Sequence, residues 1–156
     1  MSLEKVVEYF SKFSMQNKIL VLDKSSATVE LAAEALGCEP AKIAKTLSFS
    51  VENNPILIVT AGDVKINNAK YKHYFGTKAK MLAPEEVTRM IGHNVGGVCP
   101  FGIPENVKVF LDISLKRFDT VFPACGSSNS AICLTIPELE KFSNFSEWID
   151  VCKAKE

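Results

Sequence analysis

The stretch Lys45–Ala61, KTLSFSVENNPILIVTA, restricts the fold of this chain more than any other. Two apolar, β-rich runs, KTLSFSV and ILIVTA, flank Glu52-Asn53-Asn54-Pro55, a set of residues that favours a tight turn. A hairpin this apolar needs cover, which commits the middle of the chain to a sheet packed against other elements.

Helical patterns supply that cover. Ser2–Met15 places Leu3, Val6, Val7, Phe10 and Phe13 on one face. KILVLD (Lys18–Asp23) reads as a short strand, and Thr28 caps a helix that has Glu30 in its first turn and ends at Gly37. Pro40 opens a helical turn over Ala41–Ala44. Beyond the hairpin, Gly62-Asp63 leads to a helix over Asn67–Phe75 closed by Gly76. A short strand over Lys80–Leu82 precedes a helix that starts at Ala83-Pro84-Glu85-Glu86 and ends at Gly92. His93–Asn106, with three glycines and two prolines, has no period and reads as a loop. VKVFLD, DTVFPA and SAICLT are three further strands, and Thr135 with Glu138 forms a capping box around Pro137 for a last helix. SEWIDVC reads as a closing strand. Helices set among hairpins, without strict alternation, predict an α+β fold with a mixed, strongly curved sheet. No repeat or linker divides residues 1–156, so one domain is expected.

Composition narrows the function classes. With 18 basic and 18 acidic side chains the formal net charge is zero, so any nucleic-acid contact has to come from a local patch. Such a patch exists in sequence. From Val64 to Pro84 there is no Asp or Glu, while Lys65, Lys70, Lys72, Lys78 and Lys80 are present. It suits phosphates, or it is an ordinary solvated helix face. The five cysteines form no CxxC pair, and two histidines give no zinc spacing, so free thiols, no metal and no cofactor are expected. MSLEKVVEYF is interrupted by Glu4, Lys5 and Glu8, which marks an amphipathic helix rather than a signal peptide. No apolar run reaches the roughly 20 residues that span a bilayer, and a cytoplasmic protein is expected.

Four features could carry chemistry. GGVCPFG (Gly96–Gly102) offers glycines that let a ligand approach backbone N–H groups, with Pro100 stiffening its far side, or it is a surface connection. It lacks the spacing of a nucleotide-phosphate loop. PACGSSNS (Pro123–Ser130) is a strand-to-strand turn in which Gly126 gives freedom and Ser127 and Ser128 give hydroxyls. Cys99 is either a nucleophile or an inert small side chain, His73 reads as solvated, and His93 could line the loop. Lys45 stands where a helical turn meets a strand, either solvated or aimed into a site.

Four segments taken in order resemble the YbaK/ProX family of aminoacyl-tRNA deacylases, related to the editing domain of bacterial prolyl-tRNA synthetases. They are TVELAAEALG with KIAKTLSF, VTAGD before a lysine-bearing helix, GHNVGGVCPFGIP, and VFLDISLKRFDTVFPACG with TIPEL, together covering Asp23–Phe142. The resemblance implies a barrel-like mixed sheet flanked by helices. It also implies hydrolysis of the ester of a mischarged aminoacyl-tRNA, of the proline type. Lys45 matches the family's lysine before Thr-Leu and is implied as the catalytic residue. Substrate binding is implied for Thr28, Thr46, Gly96, Gly97, Cys99, Pro100, Gly102, Asp112, Ala124, Gly126 and Ser127. The implied partners are the acceptor end of that tRNA and an aminoacyl-tRNA synthetase, with neither DNA nor membrane. With no obvious protein nucleophile, direct attack by a positioned water is favoured over a covalent route. The alternative is a non-catalytic module of the same fold that binds tRNA or a synthetase. Where many relatives have serine and glycine this chain has Cys99 and Asn129, the latter tolerant of left-handed backbone geometry. Ala124 and Ala131 stand where some relatives carry a hydroxyl and an acid, which changes the shape of the pocket.

Overall fold

The computed structural model describes residues 2–155. Its core is a curled, mixed sheet of six strands in the order β8-β6-β2-β3-β5-β9. These are β2 (Ile43–Val51), β3 (Asn54–Ala61), β5 (Lys108–Asp112), β6 (Thr120–Pro123), β8 (Leu134–Thr135) and β9 (Glu147–Ile149). Two ribbons of two strands complete it: β1 (Ile19–Val21) with β7 (Ser130–Ile132), and β4 (Val64–Ile66) with β10 (Cys152–Ala154). Five helices flank the strands: α1 (Ser2–Ser11), α2 (Val29–Leu36), α3 (Asn68–Phe75), α4 (Pro84–Met90) and α5 (Ile136–Ser143). The α+β class with a mixed, curved sheet is what the sequence predicts.

The central hairpin is tighter than its sequence implies. Glu52 and Asn53 alone make the turn, with φ of +51° and +66°, the left-handed pair that matches strand twist. Asn54 and Pro55 already belong to β3, and Pro55 stands opposite Ser50. Proline is tolerated at that strand start, where a missing N–H costs little. From the hairpin the sheet grows by parallel pairs, β2 with β6, β3 with β5, and β5 with β9.

Caps set the helix boundaries. Thr28 Oγ1 accepts from Leu31 N at 3.2 Å and Gly37 closes α2 at φ +68°. Asn67 caps α3 through Lys70 N. Thr135 and Glu138 form the expected reciprocal box at the start of α5. The first helix ends at Ser11, short of Met15, and the chain turns at Ser14 with φ +57°. Lys80–Leu82 contributes only a bridge, Met81 with Phe49. The expected strand SAICLT breaks at Cys133, because β7 pairs with β1 while β8 pairs with β6. SEWIDVC likewise divides into β9 and β10, which join different sheets.

The main core gathers Val6 and Phe10 of α1 with Phe49, Leu57, Ile58, Tyr71, Phe101, Leu111, Leu115 and Leu139. Phe10 packs against Phe101 and Phe142 with ring centroids 4.8 and 5.3 Å away, and Tyr9 Oη donates to the Phe142 carbonyl at 2.7 Å. Full burial of one such ring contributes about 1.5–3 kcal/mol, so α1 is a structural wall and not an appendage. A smaller cluster of Ala32, Ala33 and Ile43, covered by Val29, Leu36 and Phe122, seats α2 on the sheet beside the site. No helix among the described residues is long and apolar enough to cross a membrane.

Candidate functional site

A cleft of about 450 Å³ opens where the first half of β2 meets the N-terminus of α2, the start of α4 and the loop around Gly96. Its walls are apolar, with Val29, Ile43, Leu47, Leu82, Val98 and Phe122 among them. The polar lining consists of Ser26, Thr28, Thr46, Ser48, Ser130 and Lys45. Among the described residues Lys45 is the one charged side chain on the wall, and no Asp, Glu, His or Cys faces it.

Lys45 is held by backbone on both sides. It pairs across the hairpin with Thr60, and its Nζ donates to the Val64 carbonyl at the start of β4. Burial lowers its pKa to about 8, assisted by the charge of Lys155, while Cys152 and Glu30 act in the opposite sense. Among the described residues Lys45 forms no ion pair with Asp63, although its charge also helps to lower that carboxyl. Arg117 takes that carboxylate in two hydrogen bonds of 2.5 and 3.0 Å and holds it below the usual carboxylate range. A half-buried ammonium with no paired acid is primed for an anionic or strongly polar ligand.

The hydroxyls differ in their commitments. Thr28 is spent on capping α2. Ser130, fully buried, accepts from Ser127 Oγ at 2.6 Å. Thr46 Oγ1 is buried on the cleft wall with no hydrogen-bond partner. A buried orphan hydroxyl is costly, which marks Thr46 as a place where a ligand's polar atom would be welcome.

The glycines act mostly through close backbone approach. Gly96 lines the cleft at φ +98°, and its N–H has no acceptor among the described residues. Gly97 points elsewhere: its N–H donates to the Asn94 carbonyl, and a Cβ there would stand 2.5 Å from Ser127 N. Gly126, at φ +92°, packs against the Ser2 carbonyl of α1. The glycine loop and the glycine hairpin therefore touch each other, and Gly96 is the one on the cleft.

Of the residues expected to bind substrate, the structure brings Thr28, Thr46, Gly96 and Ala124 to the cleft beside Lys45. The others lie elsewhere. Cys99 is fully buried, its thiol pushed up to about 12 by burial, with Sγ 3.5 Å from His93 Nε2 and 3.7 Å from the Phe101 carbonyl. His93, expected to line the loop, is buried beneath it, and its Nε2–H donates to Phe101 O at 2.7 Å. Pro100 and Gly102 border a second cleft beside α1 and α5. Asp112 is 1% exposed and accepts from Ser114 N and Val151 N, which fixes the end of β5. Ser127 supports Ser130 from behind. Asn129 is not left-handed; it ties the hairpin to Leu22 through its backbone carbonyl and its side chain. In the lysine patch, Lys70 is bound to Asp150 and the Cys152 carbonyl, whereas Lys65, Lys72, Lys78 and Lys80 remain exposed. Ser48 and Ser130 went unrecognised in sequence, since a serine inside an apolar strand gives no sign of the face it occupies.

This buried thiol makes a specific prediction. Thiol reagents should modify exposed Cys133 and leave Cys99 protected in the native protein, and Cys99→Ser should keep its activity within about threefold. Rapid labelling of Cys99, or an inactive but folded Cys99→Ser variant, would restore a thiol mechanism.

Known proteins resemble this chain over most of its length. Residues 23–142 match the model of the aminoacyl-tRNA editing domain. The uncharacterised protein YwhH of Bacillus subtilis is 54% identical over 154 residues, covering 98% of both chains. A proline–tRNA ligase of Aquifex aeolicus is 30% identical over 138 residues, which are 83% of this chain and 23% of the ligase. This chain thus spans about a quarter of the ligases that it matches. A solved structure of a protein proposed as a trans-editing enzyme for prolyl tRNA synthetase superposes with a TM-score of 0.87 at 26% identity, covering 98% of each chain.

Proposed function

This chain belongs to the aminoacyl-tRNA editing domain family, and from that premise we propose that it is a deacylase that hydrolyses a mischarged aminoacyl-tRNA, of the tRNA(Pro) type. The observation that carries the reading is the composition of the cleft: one half-buried ammonium on an apolar wall, with an unpartnered hydroxyl and a glycine N–H. An amino acid joined to ribose presents matching groups, an uncharged side chain for the apolar wall and a polarised ester for the cation and donors.

Attack of water on the ester carbonyl concentrates negative charge on its oxygen. Lys45 and the Gly96 N–H are the donors proposed to stabilise that charge, and a preorganised donor is worth about 10²–10³ in rate. No carboxylate, imidazole or thiol faces the cleft among the described residues, so the reading routes attack through a positioned water and not a covalent intermediate. Apolar walls exclude bulk water, which strengthens each of these interactions.

A panel of mischarged tRNAs tests the activity: accelerated release of the amino acid from at least one is expected, and none accelerated would leave a binding module of the same fold. The pH profile tests the role of Lys45. Its ammonium, with a pKa of about 8, persists below that value. If that charge acts, kcat/KM corrected for spontaneous hydrolysis should be flat below about pH 7 and fall as pH rises through about 8. Lys45→Arg, charged throughout, should lose that limb; a profile that rises through pH 8 would instead make the neutral amine the active form.

A further inference from the structure

The ribbon formed by β4 and β10 carries cations in an arrangement that folding alone does not explain. Lys153 stands directly opposite Lys65 in the antiparallel register, and opposed like charges weaken a strand pair. The alternate positions Val64, Ile66 and Cys152 turn inward, so Lys65 and Lys153 share the outer face. Lys155 follows two residues on, tied by its backbone N–H to the Asp63 carbonyl at 3.0 Å. All three are exposed. The nearby carboxylates are already taken, Asp63 by Arg117 and Asp150 by Lys70. Among the described residues no carboxylate lies within ion-pair distance of Lys65, Lys153 or Lys155.

The ribbon also adjoins the cleft. The Val64 carbonyl on β4 receives the Lys45 ammonium, and the charge of Lys155 is felt at Lys45. Along a strand, residues two apart are about 7 Å apart, a repeat comparable to that of successive phosphates on a nucleotide chain. We infer that the β4–β10 ribbon is a phosphate clamp for a single-stranded RNA 3′ end, with Lys65, Lys153 and Lys155 as its cations. The inference rests on the deacylase reading and locates the phosphates that precede the ester. It also accounts for the opposed lysines, whose repulsion an anion between them relieves.

The probe is a fluorescein-labelled single-stranded RNA, ACCA, without an amino acid, titrated by anisotropy at several salt concentrations. Wild type should bind it, and Lys153→Glu/Lys155→Glu should bind at least about tenfold more weakly. The log–log salt slope should shrink by about 1.4, from roughly 0.7 per lost cation on a single strand. Because Lys153→Glu sets an acid opposite Lys65, the double variant should melt no lower than wild type, which separates lost binding from lost folding. Exposed lysines elsewhere serve as the control: Lys12→Glu/Lys108→Glu should leave binding within twofold. With a mischarged tRNA that wild type cleaves, Lys153→Glu, which leaves Lys155 in place beside Lys45, should raise KM at least about threefold while kcat stays within threefold. An aminoacyl ester of adenosine without phosphates should be cleaved equally by wild type and Lys153→Glu. Unchanged RNA affinity in the double variant, an equal loss in the control, or no binding by wild type would overturn the clamp. Acidic-peptide binding with none to RNA would do the same. RNA binding requires no turnover, so a wild type inactive on every mischarged tRNA sinks the deacylase reading while this readout still judges the ribbon.

Discussion

Lys45→Ala is expected to lower kcat/KM for deacylation by at least about 100-fold while leaving the protein folded. The size follows from the cleft, where Lys45 is the one charged side chain on the wall among the described residues. Folding should survive because the wild-type ammonium is poorly solvated: its pKa of about 8 lies below the ordinary lysine value. The sign follows from linkage. Between about pH 8 and the ordinary lysine range the unfolded chain binds more protons than the folded one, so this residue's contribution to stability rises with pH. Lys45→Met, with an uncharged stem of similar length, should therefore melt no lower than wild type at pH 7 and yet be as inactive as Lys45→Ala. Near-normal turnover by either variant would remove Lys45 from the mechanism. A collapse in melting temperature would make it a structural residue instead.

Gly62→Ala is the substitution with the largest expected effect on stability, a loss of about 2–4 kcal/mol measured by urea unfolding. A Cβ at this position would stand 2.0 Å from the Pro40 carbonyl oxygen and 2.8 Å from Val29 Cγ1. The first neighbour is backbone and cannot swing aside. Gly62 N also donates to Ala41 O at 3.4 Å, so the turn at Pro40 and the end of β3 are pressed together. Relief would push the turn and Val29 outward, and Val29 lines the cleft, so activity should fall with stability. An alanine variant within about 0.5 kcal/mol of wild type, the range of an ordinary surface change, would show that the turn yields freely.

Some of this was legible in the chain and some was not, for definite reasons. The hairpin, the caps at Thr28, Asn67 and Thr135, and the glycine stops are local, so neighbouring residues reveal them. Strand β4 was invisible because three residues between Asp63 and the Asn67 cap show no period, and their partners lie near residue 153. The parallel pairs were hidden for the same reason, since antiparallel hairpins announce themselves through turns and parallel neighbours do not. At the site, motif similarity drew Thr46, Gly96 and Ala124 together around Lys45, and these do line the cleft. It drew Asp112 and Cys99 as well, and these face inward. An acid at a strand end looks the same in sequence whether it meets substrate or, as Asp112 does, two backbone N–H groups.

The anchoring of α1 has a consequence for biosynthesis. Ser2 Oγ meets the Gly126 carbonyl, Tyr9 meets Phe142, and Phe10 packs between Phe101 and Phe142. A ribosome that has just released this helix must add roughly a hundred further residues before those partners exist. Its apolar face therefore stays unclaimed until they emerge, a natural target for holding chaperones.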